Sequence, residues 1–200
     1  MTLPLATMAE PETKLGKVIV ISGPSGAGKT TLVRQVFERL PQLISSVSAT
    51  TRPPRPGEQD GIDYYFLSSE EFRQRREQGD FLESCEVFGR GYWYGTLKEQ
   101  VAPILESGKS VVLEVDVEGA KSVFAKYPQA VTIFVCPDSI QELERRLVAR
   151  GTESPSAIAR RMEVARREVA QADWYQFQVI NNDVGQAVNE LVQILRDCGV

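Results

Sequence analysis

Eight residues near the start of the chain, Gly23 to Thr30, have the types and spacing needed to bind a row of phosphates. They read GPSGAGKT and match the pattern G-x-x-x-x-G-K-[ST] in full. Glycines let the backbone curl so that successive N–H groups point at phosphate oxygens, while the lysine reaches the β- and γ-phosphates and the hydroxyl binds Mg²⁺. The motif therefore predicts a nucleoside triphosphate site, with Lys29 on the phosphates and Thr30 on the metal.

The segments on either side of this loop are those that its mechanism requires. The apolar, β-branched run 18–21 indicates a buried parallel strand, and apolar residues recur at helical spacing from Leu32 to Leu40, where Pro41 ends the helix. A helix that begins at the loop adds its partial positive charge to the backbone donors. The alternative is a glycine-rich turn with a chance lysine, and these flanks argue against it. The motif does not identify the phosphate acceptor.

The rest of the chain alternates strand and helix patterns. Strands are predicted at 110–116, 131–136 and 177–180, and helices at 97–107, 118–126, 139–150, 154–173 and 184–196. This alternation predicts an α/β fold with a mostly parallel sheet and right-handed crossovers. Residues 15–45 and 98–200 are expected to form this core, and residues 1–14 a flexible N-terminal tail.

Residues 46–97 have a different pattern, with short strands, one helix and prolines at positions 53, 54 and 56. Ser68 and Glu71 have the spacing of a capping box, which predicts the start of the helix. Strands are predicted at 64–67, 81–88 and 92–94. The segment is therefore expected to be a small mixed α+β insert on the core.

Two carboxylates belong to the strand predicted at 110–116. Asp116 closes it beside the phosphate loop, where it could hold Mg²⁺ or its waters, or could simply cap the next turn. Glu114 lies two residues earlier and points to the same face of a regular strand. It could support the site or pair with a basic side chain. We predict Asp116 and Thr30 as the metal-binding residues.

The composition restricts both the chemistry and the partners. The chain has 200 residues, no histidine and a net charge of −4, which excludes histidine catalysis and disfavours nucleic acid as a partner. Its three cysteines form no CxxC pair, which indicates reduced thiols and a cytoplasmic protein, with Cys85 and Cys136 as core residues. No segment approaches the ~20 apolar residues of a membrane helix.

Two arginines in the proline-rich segment, Arg52 and Arg55, could form a second anion site. They lie three residues apart, and the prolines between and after them stiffen the segment. Planar guanidinium groups bind a phosphate through paired donors. From these residues alone, a solvated basic loop is an equal alternative.

With this segment the chain resembles the guanylate kinase family from about residue 15 to its C-terminus. The matching segments are GPSGAGKT at 23–30, SVSATTRPPRPGE at 46–58, GIDYYF at 61–66, FLE at 81–83, YGT at 94–96, EVDVEGA at 114–120 and RGTE at 150–153. The resemblance implies a three-layer P-loop kinase fold in which residues 46–97 bind GMP and a helical lid at about 139–172 folds over ATP. The implied reaction transfers the γ-phosphate of ATP, with Mg²⁺, to GMP or dGMP, in a monomer or homodimer.

The resemblance also implies roles for individual residues. Those on the GMP phosphate are Arg52, Arg55, Tyr64 and Tyr94, and those on guanine are Ser48, Glu83 and Thr96. Asp116 would lie near both GMP and the metal. Those on ATP are Gly23, Pro24, Ser25, Gly26, Ala27, Gly28, Lys29, Thr30, Thr31, Arg146 and Asn181. Ala49 departs from the histidine or polar residue of many relatives, and we expect no substrate contact there.

This reaction would need no side chain as general base. The acceptor phosphate has a second pKa of about 6 and is largely ionised at neutral pH, so catalysis consists of positioning and neutralising charge. The residues expected to do this are Lys29, Arg52, Arg150, Arg161 and Asp116. The alternatives are a solvated helix face for Arg146, Arg150 and Arg161, and a polar turn for Asn181.

Two other functions agree less well with these residues. A guanylate-kinase-like scaffold module binds phosphopeptides and has lost parts of the phosphate loop, whereas Lys29 and Asp116 are present here. A small kinase acting on a ribose phosphate would not need the RPPRPGE segment at 52–58 together with Glu83, which suit a guanine nucleotide.

Overall fold

The computed structural model describes residues 15–86, 91–149 and 154–200. The elements in chain order are β1 (Val18–Ser22), α1 (Lys29–Arg39), β2 (Ile44–Ser45), β3 (Ala49–Thr50), β4 (Tyr65–Phe66), α2 (Ser69–Glu77), β5 (Phe81–Glu86), β6 (Trp93–Leu97), α3 (Lys98–Glu106), β7 (Val111–Glu114), α4 (Val117–Lys126), β8 (Val131–Pro137), α5 (Ile140–Ala149), α6 (Pro155–Val169), β9 (Phe177–Asn181) and α7 (Val184–Asp197). A 3₁₀ turn, Ala172–Trp174, precedes β9.

The main sheet is parallel and has the strand order β2-β7-β1-β8-β9. β1 lies in its centre and is buried along its whole length, because helices cover both faces of the sheet. The predicted α/β fold with a mostly parallel sheet is confirmed. β2 was not predicted, since a strand of two residues is too short to show a sequence pattern.

Two apolar layers enclose this sheet. One contains Ile19, Ile21 and Val135 from the strands with residues of α1 and α7. The other contains Val20 and Leu113 with residues of α3 and α4. Alternate side chains of each strand point to opposite faces, so one run of strand residues supplies both layers. The result is the three-layer arrangement that the resemblance to a known family implied.

The second sheet lies within the insert and has the order β4-β3-β6-β5. β3 pairs parallel to β4 and antiparallel to β6, so this sheet is mixed. Phe72 of α2 stacks on Phe81 with ring centroids 4.4 Å apart and closes a small core. Ser68 and Glu71 form the predicted capping box. Helix α4 contacts both β1 and β5, and so joins the two sheets.

Several element ends differ from the sequence-based expectation. α6 begins at Pro155 with Ser154 as its cap, as predicted, but ends at Val169 and not near Asp173. Beyond its end, the N–H of Gln171 bonds the carbonyl of Glu168, three residues back and not four, which is a tighter turn than the α-helix. Pro103 lies inside α3, where a proline predicts a kink or a helix of only about two turns, and the helix runs through it over nine residues, about two and a half turns.

Ser139 and Glu142 also have the spacing of a capping box, and the structure forms this box only in part. Ser139 accepts the backbone N–H of Glu142, but the Glu142 carboxylate pairs with Arg145 and Arg146. A carboxylate four residues before an arginine on a helix has that arginine as its neighbour, and here this ion pair takes the side chain.

The cysteine prediction was wrong in one respect. Cys85 and Cys136 do lie in strands, β5 and β8, but each is only partly buried and neither is a fully enclosed core residue.

Some predictions lie outside the described residues. These are the tail 1–14, the end of a strand and a turn at 87–90, and the segment 150–153 with Arg150. Within the described ranges, no helix combines the length and apolar character needed to cross a membrane.

Candidate nucleotide-binding site

The glycine-rich loop follows β1, the central strand, and ends at α1. Gly23 and Gly28 have φ values of 143° and 92°, which favour glycine. A Cβ atom would lie 2.3 Å from the carbonyl oxygen of Val135 at the first position and 2.4 Å from the amide nitrogen of Asn181 at the second. No side chain caps the N-terminus of α1 at Gly28, so its first N–H groups remain available to a phosphate.

Lys29 lies over this loop. Its ammonium group donates to the carbonyl oxygens of Gly23 at 2.5 Å and Pro24 at 3.3 Å. Burial lowers the pKa of Lys29, while the carboxylates of Glu168, Glu114 and Asp116 act in the opposite direction. A partly desolvated ammonium group that is held by carbonyl oxygens is well prepared to exchange them for phosphate oxygens.

Asn181, the last residue of β9, supports the loop from below. Its buried amide donates to the carbonyl oxygen of Ala27 at 2.7 Å. Arg146 of α5 donates to the backbone oxygen of Asn181 at 3.4 Å and bonds Glu142 at 2.9 Å. The structure thus brings both residues to the loop, with Asn181 as a brace, and their contact with ATP stays a prediction.

The helices α5 and α6 pack on each other through their own apolar cluster, which includes Leu143 and Met162. From α6, Arg161 donates to the hydroxyl of Ser25 within the loop. One of the predicted lid arginines therefore already reaches the phosphate loop, whereas Arg150 lies outside the described residues.

Thr30 and two acidic residues form the candidate metal position. The Thr30 hydroxyl donates to Glu114 at 3.3 Å, and burial raises the pKa of Glu114. Asp116 does not close β7; it lies two residues beyond the strand and caps α4 by accepting the N–H of Gly119 at 2.7 Å.

Mg²⁺ suits this position because it usually takes one or two protein oxygens and completes its shell with water and substrate phosphate. In the part of the chain that the structure describes, no group of three or more cysteine, aspartate or glutamate side chains could hold a metal by itself. The predicted pair of Thr30 and Asp116, with Glu114 beside it, fits a metal that arrives with the triphosphate.

The candidate acceptor-phosphate position contains three of the four predicted side chains. Arg52 donates to the Tyr94 hydroxyl at 3.1 Å, and its guanidinium lies 5.4 Å from the centre of the Tyr64 ring. Tyr64 and Tyr94 pack edge to face. Arg55 lies in the same segment with an exposed side chain.

Glu58 organises this segment and was not predicted as a functional residue. Its carboxylate accepts from Arg52 at 2.8 Å and from the backbone N–H of Arg55 at 2.7 Å. The hydrogen bond that Arg52 donates to Glu58 is the main reason that the pKa of Arg52 is raised. The sequence feature that could have identified Glu58 is its position as an acidic residue at the end of an otherwise basic loop.

The predicted base-binding residues come from three neighbouring strands. Thr96 of β6 pairs with Glu83 of β5, and its hydroxyl donates to the Glu83 carboxylate at 2.7 Å. β3 pairs Ala49 with Gly95, so Ser48 precedes β3 opposite Thr96. Burial raises the pKa of Glu83 to about 7, with Thr96 lowering it and Asp116 raising it further.

Asp116 connects the two halves of the site. Its charge acts on Glu83 on one side and on Lys29 on the other. Glu168 of α6, which was not predicted, also faces Lys29, and burial raises the pKa of Glu168 to about 7. The glycine-rich loop and the predicted acceptor site thus both lie near one carboxylate, Asp116.

The chain matches known proteins over nearly its whole length. A family model described as guanylate kinase matches residues 15–198. The chain belongs to the guanylate kinase family. It is 51% identical over 199 residues to a guanylate kinase of Rhodopirellula baltica, covering 98% of this chain and 95% of the relative. A guanylate kinase of Rubrobacter xylanophilus is 50% identical over 181 residues, covering 90% of this chain and 94% of the relative.

Solved structures agree with this family assignment. A guanylate kinase from Anaplasma phagocytophilum superimposes with a TM-score of 0.74 at 30% identity, covering 92% of this chain and 86% of that one. A shikimate kinase from Bacteroides thetaiotaomicron has a TM-score of 0.53 at 16% identity and shares the fold. The resemblance to the guanylate kinase family, inferred from seven short segments, is confirmed.

Proposed function

We propose that this protein transfers the γ-phosphate of ATP to GMP, and to dGMP, giving ADP and GDP in purine nucleotide metabolism and GMP recycling. The observation that carries this proposal is the buried pair of Glu83 and Thr96, which lies beside Arg52 and its tyrosines and is linked through Asp116 to a complete phosphate loop. One site suits a triphosphate, and the other suits a nucleotide with a hydrogen-bond donor edge.

Glu83 selects the base. Guanine presents N1–H and an amino group side by side, and one ionised carboxylate can accept both. Adenine has a lone pair at N1, which would face Glu83 without a proton between them. A buried polar group left unpaired in this way can disfavour the wrong substrate by about 10⁴-fold. The two donors of guanine also favour the ionised carboxylate over the neutral form that burial favours.

The phosphate of GMP binds at Arg52, Arg55, Tyr64 and Tyr94. Arg52 is already oriented by Tyr94 and Glu58, so little side-chain freedom is lost on binding. That phosphate supplies the nucleophilic oxygen, and because it is largely ionised at neutral pH no residue must remove a proton.

Lys29, the loop N–H groups and the arginines Arg146, Arg150 and Arg161 bind and neutralise the phosphates of ATP. Mg²⁺, held near Thr30 and Asp116, would neutralise charge on the phosphates. Closure of α5 and α6 over the loop would exclude water and so prevent hydrolysis.

The cellular location, the oligomeric state and the partners of the enzyme are inferred from its sequence. We propose a cytoplasmic enzyme that acts as a monomer or homodimer, with the small molecules GMP and ATP as its partners and without nucleic-acid or membrane partners. The net charge of −4 and the half-buried free cysteines support this.

The deciding experiment measures ADP release with ATP and Mg²⁺ against GMP, AMP, CMP and UMP. We expect turnover with GMP alone, and loss of at least about a hundredfold in kcat/KM in Glu83→Ala, since a buried site loses its base-binding carboxylate. No turnover with any acceptor would refute the kinase, and equal rates with AMP and GMP would refute the role of Glu83.

A further inference from the structure

β5 carries a bulge directly beside Glu83. Phe81 pairs with Leu97, but the next pair is Glu83 with Thr96, so Leu82 and Glu83 together oppose one residue of β6. In a regular ladder Leu82 would oppose Thr96, and Glu83 would oppose Gly95. The extra residue therefore brings the Glu83 carboxylate next to the Thr96 hydroxyl, as bulges near binding sites commonly redirect a side chain.

Two apolar residues at the bulge, Phe81 and Leu82, pack in different cores. Phe81 packs in the core of the insert, and Leu82 packs in the layer beneath the main sheet. Consecutive strand residues point to opposite faces, so this arrangement needs an apolar environment on both sides of β5. Helix α4 provides it on the side of the main sheet.

Lys126, the last residue of α4, binds this bulge. Its ammonium group donates to the carbonyl oxygen of Phe81 at 2.9 Å and to that of Leu82 at 2.5 Å. The opposite end of α4 reaches the same strand, because a Cβ atom on Gly119 would lie 3.1 Å from the Glu83 carboxylate. α4 thus contacts the side chain of Glu83 with its first turn and the backbone before Glu83 with its last residue.

The ordinary role of a lysine at a helix end is a solvated charge near the last carbonyl groups. Lys121, in the middle of the same helix, stays on its own helix and pairs with Glu118 at 3.0 Å. Lys126 instead crosses to a different element and binds two successive carbonyl groups of the bulge. Charged donors form the stronger hydrogen bonds, so this contact fixes the backbone from which Glu83 projects.

We propose that Lys126 is a positioning residue for base recognition, which clamps the β5 bulge and thereby holds Glu83 in the orientation that accepts guanine. The inference rests on the proposed function. Lys126 also carries the positive charge that acts on Glu83, which is otherwise faced by Thr96 of β6, by Asp116 at the start of α4 and by Cys85 of its own strand.

The test compares Lys126→Met with Lys126→Arg and with the control Lys121→Met in steady-state kinetics. For Lys126→Met we expect KM for GMP to rise about tenfold, the loss typical of a charged hydrogen bond, with KM for ATP changed by less than about twofold. Lys126→Arg should recover part of the loss because it keeps the charge and the donors. Lys121→Met should match the wild type.

A second measurement is the pH dependence of kcat/KM for GMP. Without the positive charge of Lys126, the acidic limb should move to higher pH, because the ionised form of Glu83 loses a favourable neighbour. A purely structural role would lower activity without moving this limb.

The possible outcomes separate this inference from the proposed function. An inactive wild type refutes both. An active wild type with an unchanged KM for GMP in Lys126→Met, or with equal increases for GMP and ATP, refutes only the role of Lys126. Thermal melting shows whether each variant folds. If Lys126→Met does not fold, Lys126→Gln is measured in its place. A KM for GMP equal to that of the wild type in Lys126→Gln would likewise refute the role of Lys126.

Discussion

At the scale of the residue, the site depends on a few side chains whose properties are set by their neighbours. Glu83 is only 6% exposed, and burial raises its pKa to about 7, although Thr96 donates to it. The pKa of Lys29 is shifted in the opposite direction, because burial lowers it. Both pKa shifts mean that, in the protein without nucleotides, the charged forms of Glu83 and Lys29 are energetically unfavourable, and that binding of the substrate relieves this.

Glu83 should make the stability of the nucleotide-free protein depend on pH. Its pKa is raised on folding, so the folded state binds more protons between about pH 4.5 and 7, and stability from this group falls as pH rises through that window. In Glu83→Gln, which keeps an oxygen for Thr96, this contribution should be absent, at most about 3 kcal/mol. Urea unfolding at pH 5 and pH 8 measures it, with Glu86→Gln, exposed on the same strand, as the control. An identical pH dependence in Glu83→Gln and wild type would contradict the assignment.

At the scale of the element, the ends of strands and helices bring the site together. The loop occupies the carboxyl end of β1, Asn181 ends β9 and supports the loop, and Asp116 lies between β7 and α4. The sequence predicted β1, the loop and α1 well, because apolar runs, glycines and the lysine are local signals. It did not predict the brace, because the bond from Asn181 to Ala27 joins residues 154 positions apart.

Removal of the Asn181 side chain should weaken ATP binding more than GMP binding. Asn181→Ala leaves the buried carbonyl of Ala27 without its donor, which typically costs about 1–3 kcal/mol. We expect a lower melting temperature and a KM for ATP raised severalfold, with KM for GMP close to the wild-type value.

The control for this variant is Asn189→Ala, an exposed asparagine on α7 that bonds Arg39 far from the loop. Equal effects of Asn181→Ala on ATP and GMP would show that the residue supports the whole fold and not the loop.

At the scale of the whole molecule, the residues of the candidate site are divided among three bodies. These are the main sheet, the insert with its mixed sheet and the pair of helices α5 and α6. Each has its own apolar cluster, an arrangement that allows small relative movements without breaking a core. Arg161 links the helix pair to the loop through Ser25, and Lys126 links the main core to the insert.

Arg161 should contribute to the chemical step and not to acceptor binding. Arg161→Gln removes a positive charge near the loop, and we expect kcat to fall at least about tenfold with KM for GMP unchanged, since arginines at phosphoryl transfer sites stabilise the transition state. Arg160→Gln is the matched control, because Arg160 is the preceding residue and is more exposed. Equal kcat values for the two variants would place Arg161 outside the reaction.

The sequence by itself determined the class of fold, the phosphate loop and the family. These follow from patterns that a short segment carries within itself, namely the glycines of the phosphate loop, apolar periodicity and the combined spacing of GPSGAGKT and RPPRPGE. The segments at 46–58, 81–83 and 94–96 also pointed to residues that the structure brings together, such as Arg52 with Tyr94 and Glu83 with Thr96, and their roles stay predictions.

Only the tertiary structure decided how those residues are arranged. Lys126 on the β5 bulge and the Asn181 brace under the phosphate loop both depend on which element packs against which. The bulge alone shifts the register of Glu83 by one position, and the sequence FLESCE reads the same with or without it. Burial, which sets the charge state of Glu83 and Lys29, is likewise a property of the packed molecule, because it arises from neighbours that are distant along the chain.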